Sequence, residues 1–241
     1  MKIKSLLKSI CIVCILLILC GIQSCASKKN ELIEPDEQPI VTPEPGIIKY
    51  SEIIGSSHVI QRYYFGNKNC LNEGADRLLE MGSKVIKIWY YNGGETPDIL
   101  YLFNSNWISA ESLVEGLNNT HYSELFDKPF KTFVLNIASF VDKTNAYYWK
   151  DKLSQAQINQ EEAEFYEFTK ALLKKYEGTG KTFVLQHHEG DWHLRGNINP
   201  DIDPIPEALT RMTTWLNARQ KGVTRARKEI AASNVLVSMV R

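Results

Sequence analysis

Lys131-Thr132-Phe133-Val134-Leu135-Asn136 returns fifty positions later as Lys181-Thr182-Phe183-Val184-Leu185-Gln186. Each hexapeptide is apolar and β-prone at its centre and ends on a carboxamide, and the second follows the turn signal Gly178-Thr179-Gly180. Between them lies the strongest helical pattern in the chain, over about 159–177. Phe165, Tyr166, Thr169, Leu172, Leu173 and Tyr176 recur there on one face, with Glu161, Glu164, Lys170 and Lys174 outside it. Asn159 and Glu162 have the spacing of a capping box, and Gly178 supplies a left-handed stop. Two equivalent strands joined by a long helical crossover pair in parallel, because an antiparallel hairpin needs only a short turn.

Working outward, the same alternation continues. His58–Tyr64 is predicted as a first strand, Asn69–Met81 as a helix stopped by Gly82, and Lys84–Tyr91 as the clearest alternating strand. Ser109–Leu117 is predicted helical, Phe130–Ile137 a third strand, and Lys181–Gln186 a fourth. The Pro-rich stretch Asn199–Pro206 then opens a helix with Ala208, Met212, Trp215 and Leu216 as its inner stripe, and Asn234–Val240 reads as a fifth strand. Strand–helix units in series allow a doubly wound open sheet or a (β/α)8 barrel, and the fold class expected is α/β: parallel strand–helix repeats forming the N-terminal part of a TIM (β/α)8 barrel, about five strands.

No Gly-x-Gly-x-x-Gly or Gly-x-x-x-x-Gly-Lys loop occurs, so a nucleotide site on an open sheet lacks its usual carrier. Aromatic residues gather instead at predicted strand ends: Tyr63, Tyr64, Trp89, Tyr90, Tyr91, Phe140 and Trp192. Such rings stack on the C–H faces of sugars. Directly after the second hexapeptide come His187, His188, Glu189, Gly190, Asp191, Trp192, His193 and Arg195. A strand that delivers a carboxylate into a loop at its carboxyl end is how α/β barrels place catalytic groups. Glu189 is therefore the candidate general acid/base, with His188, Trp192, Asn136, Trp89 and Tyr91 as candidate substrate-facing residues. Histidine and carboxylate donors of this kind also suit zinc. Residues 187 and 188, however, point to opposite faces of a strand, so no metal is assigned, and no other cofactor. His187 is expected to pack against a neighbouring helix.

The strand-ending Glu189 resembles the acid/base glutamate of clan A of the glycoside hydrolases, and Phe126–Thr132, Glu164–Glu167 and Gly178–Phe183 with Glu189–Trp192 resemble a group of bacterial proteins with such a barrel, over roughly Gly55 to the C-terminus. That resemblance implies a retaining hydrolase-like barrel acting on carbohydrate, with Glu189 as acid/base at the end of strand 4. Two positions depart from the clan's pattern. Its asparagine before the acid/base is His188 here, and its second carboxylate comes from strand 7, whereas the strands counted here stop at five. A full barrel takes ~250 residues, so the domain is expected to be the N-terminal portion of a barrel. A carbohydrate-binding protein without hydrolysis, or a non-functional fragment, is the alternative.

The amino terminus has a different character. Lys2, Lys4 and Lys8 precede an apolar run from Ile10 to Ile22 that fits an export signal. Ile22-Gln23-Ser24-Cys25 resembles a bacterial lipobox, which implies lipidation of Cys25 and a lipid-anchored location in the cell envelope. The expected organisation is a signal over 1–24, a Pro-, Glu- and Lys-rich tether over 25–46, and the barrel-like domain over 47–241. The whole chain has 28 basic and 28 acidic residues; removing Lys2, Lys4 and Lys8 leaves 25 against 28, a net −3. That weak acidity argues against a nucleic-acid partner. Of five cysteines only Cys70 lies outside the leader region, so no disulfide framework can form within one mature chain.

Overall fold

The computed structural model describes residues 49–59, 65–90, 110–142, 147–187, 190–196 and 198–232. Its elements are α1 (Tyr50–Ile53), β1 (Ser56–Ser57), α2 (Cys70–Glu80), β2 (Val85–Tyr90), α3 (Leu113–Gly116), α4 (Thr120–Asp127) and β3 (Thr132–Ile137). A 3-10 turn (Tyr148–Lys150), α5 (Gln155–Lys175), β4 (Thr182–His187), α6 (Asp191–Arg195) and α7 (Pro206–Ala232) follow. Among the described residues the strands form one parallel sheet in the order β1-β2-β3-β4. The two hexapeptides lie side by side in perfect register, Thr132 beside Thr182 and Phe133 beside Phe183, through to Asn136 beside Gln186.

Parallel strands in sequential order, joined by the right-handed crossovers such units favour, bring the connecting helices to one side of the sheet. The core has that composition. Ile86, Ile88, Tyr90, Phe133, Leu135, Ile137 and Phe183 meet Leu71 and Ala75 of α2, Tyr122 and Phe126 of α4, and Phe165, Phe168 and Leu172 of α5. Phe133 stacks on Phe183 with ring centroids 5.2 Å apart, and Phe126 meets both edge-on. The opposite face carries Val85, Lys87 and Trp89 of β2, Val134 of β3, and Val184 and Gln186 of β4, all half-buried, with Asn136 the buried exception. An open, singly wound sheet of four parallel strands alternating with helices is compatible with part of a barrel. Among the described residues no helix is long and apolar enough to cross a membrane.

Several expected boundaries shift, each for a local reason. α2 begins at Cys70 because the Asn69 side chain accepts from the Asn72 N–H, and Gly82 ends its turn at φ 87°. α5 starts four residues before Asn159: its capping box is Ser154 with Gln157, which satisfies free N–H groups one turn earlier. The region expected as one helix over Ser109–Leu117 is the single turn α3, capped by Ser112. It is followed by α4, capped by Asn119, which sequence periodicity did not single out. The first strand is displaced toward the amino terminus, Ser56–Ser57 with the His58 N–H donating to Lys87 O at 2.7 Å; the rest of the expected strand, 60–64, lies outside the described residues. So does the expected fifth strand, Asn234–Val240.

Candidate functional site

The carboxyl ends of β2, β3 and β4 open on a cleft of about 410 Å³. Its floor is one transverse row of the sheet, Trp89, Asn136 and Gln186, which the parallel register sets side by side. Lys87 lies one layer below on the same face, and Ser57 and Val59 close the β1 side. Gly190 and Asp191 form the wall beyond β4. A Cβ at Gly190 would sit 2.5 Å from Met212 Cε, the flexible end of a side chain of α7, so this wall of the cleft lies close against that helix. The Leu194 N–H of α6 donates to Gly190 O at 2.7 Å.

Three of the expected residues can be placed. Trp89 and Asn136 both line the cleft, Asn136 at 4% exposure, and Trp192 contributes its backbone to α6. Glu189, His188, Tyr91 and Cys25 lie outside the described residues. Two expectations are corrected. His187 does not pack under a helix: it is exposed at the end of β4 and lines the cleft, where partial burial and the nearby Arg219 hold its pKa below the ordinary imidazole value. Tyr90 and Phe140 are not rim aromatics but core residues, and the Tyr90 hydroxyl is buried and donates to Leu113 O at 2.7 Å. Arg195 pairs with Asp191 at 3.7 Å, and His193 stacks on Tyr147 with centroids 3.3 Å apart.

The feature that sequence reasoning missed lies behind the cleft. Glu161, expected on the outer face of its helix, is 1% exposed. Its carboxylate accepts from Arg219 Nε at 2.7 Å, Tyr148 OH at 2.7 Å and Ser139 Oγ at 2.6 Å. Arg219 Nη1 donates in turn to Ile137 O at 3.2 Å, and the guanidinium lies 3.7 Å from the centroid of the Trp215 ring. Burial pulls the arginine's pKa down and Glu161 pushes it back; the guanidinium stays charged because its ordinary value is so high. The cluster clamps α5, α7 and the 3-10 turn onto the end of β3, one residue after Asn136. A signal was present: Glu161 precedes Phe165 by one helical turn, which places it on the buried stripe rather than opposite it.

No protein-family model, curated protein or solved structure matches the chain.

Proposed function

We propose that this domain binds carbohydrate in the cleft at the carboxyl end of its barrel-like sheet. In this reading Glu189 supplies the proton-transferring carboxylate of a glycoside-hydrolase-like site, and the domain is carried by an exported chain anchored through a lipid on Cys25. The observation that supports it is the in-register row of Trp89, Asn136 and Gln186. An indole face for a sugar's C–H surface stands beside two carboxamides, each offering both donors and acceptors to hydroxyls. Glu189 directly precedes Gly190, a residue of the cleft wall. As general acid it would protonate the departing glycosidic oxygen, and a retaining reaction needs a second carboxylate about 5–5.5 Å away.

Binding without hydrolysis is the second reading, favoured by the same row, which does not involve Glu189. Calorimetric titration of the full chain in detergent with a panel of soluble oligosaccharides tests the binding step. Trp89→Ala is expected to weaken binding about tenfold or more. Binding that is unaffected by both Trp89→Ala and Asn136→Ala would remove the cleft as the site. On aryl glycosides, turnover abolished by Glu189→Gln with binding retained supports the acid/base role. Binding with no turnover in either protein leaves the second reading.

A further inference from the structure

The opposite end of the sheet has a different chemistry. α1 and the residue after it expose Tyr50 (78%), Ile53 (60%) and Ile54 (64%), and the turn entering β2 exposes Met81 (79%). These turns are fixed in place. The Lys84 N–H donates to Ser51 O at 2.8 Å, and Gly55 lies so close to β2 that a Cβ there would sit 2.5 Å from Val85 Cβ. Lys49, Lys84 and Lys131 all surround one carboxylate, Glu52, with Lys131 Nζ 2.7 Å from its Oε1. Three lysines around one acid give this spot a local excess of two positive charges, in a chain that is neutral as a whole with 28 basic and 28 acidic residues.

We infer that this amino-terminal end of the sheet is a docking surface for an anionic phospholipid bilayer. Large apolar side chains projecting from turns, ringed by lysines, suit a fluid interface: the apolar groups enter the headgroup region and the ammonium groups meet lipid phosphates. The patch is also where the preceding chain joins. The tether over 25–46, with the proposed lipid site Cys25 at its start, precedes Lys49 at this same end, a point that rests on the lipid-anchor reading above. β2, β3 and β4 lead from this end to the cleft, six residues each and so about 20 Å long. A domain resting on α1 therefore opens its cleft away from the membrane. The inference is independent of what the cleft binds.

The test is hydrogen exchange of the full-length chain reconstituted in vesicles of phosphatidylcholine alone or with about one-third phosphatidylglycerol. Backbone amides of 50–57 and 80–84 are expected to be protected roughly thirtyfold more on the anionic vesicles, the factor expected for two net charges near such a surface. Lys84→Gln with Lys131→Gln should reduce protection to the neutral-vesicle level. Ile53→Ser with Ile54→Ser should abolish it on both, with circular dichroism unchanged. Equal exchange on both vesicles and in detergent would overturn the proposal. So would protection that rises with protein concentration without vesicles, which would assign the patch to a second copy of the chain.

Discussion

The two hexapeptides have nearly the same sequence and different surroundings. In β3, between β2 and β4, Phe133 and Leu135 are fully buried and Asn136 is 4% exposed. In β4, at the margin of the described sheet, Phe183 is buried but Leu185 and Gln186 are only half-buried, and the strand ends in the exposed His187 where β3 ends in the buried Ile137. The same residues in the same register thus form a rigid centre in one strand and an accessible cleft margin in the other. Position in the sheet, not the hexapeptide, decides how far each polar end group is exposed in the cleft.

The sharpest way to break this contrast is at the clamp that only β3 has. Glu161→Ala strands the buried Arg219, whose guanidinium holds Ile137 O, and is expected to cost about 3–5 kcal/mol in denaturant unfolding. Replacing the pair together, Glu161→Leu with Arg219→Met, should restore most of that loss, because well-packed apolar groups need no desolvated partner. Next in size is a matched truncation of the two copies. Leu135→Ala should cost about 2–5 kcal/mol by leaving a cavity in the closed core, and Leu185→Ala about 1–2 kcal/mol, since its side chain is only half removed from water. Equal costs at the two positions would show β4 to be as enclosed as β3.

The smallest effect concerns pH. The folded-state pKa of His187 lies below its unfolded value, so the unfolded chain takes up the proton first as pH falls. Its contribution to stability is present above about pH 6.5 and fades as pH drops through the lower folded value. His187→Asn should therefore flatten the fall of the unfolding midpoint below about pH 6.5, slightly, as suits a side chain exposed at a strand end. An NMR titration should place the imidazole below its ordinary range, and a value at or above that range would show that neither burial nor Arg219 acts on it.

Much of the architecture was legible because parallel strands and crossover helices leave local traces. The repeated hexapeptide, the Gly82 and Gly178 stops, which adopt φ 87° and 71°, and the stripe of Phe165, Thr169 and Leu172 all depend on neighbours a few residues away. Asn136 and Trp89 were reachable by the same logic, since strand alternation and parallel register put them on one row. Glu161 was misjudged because a charged residue reads as solvent-facing until its partner, 58 positions on, is known. His187 was misjudged because whether a strand end is covered depends on the path of the next loop.

By itself the sequence determined the class of fold, the parallel pairing of the two hexapeptides and the side of each strand its apolar residues occupy, because hydrophobic periodicity and crossover length are properties of short stretches. Only the tertiary structure decided that α2, α4 and α5 share one face of the sheet, that a buried carboxylate–guanidinium pair closes the end of β3, and that the lysines at 49, 84 and 131 converge beside exposed isoleucines. Those outcomes depend on which distant groups meet once the sheet is wound. Burial and Coulomb energies act through space, and sequence separation does not report them.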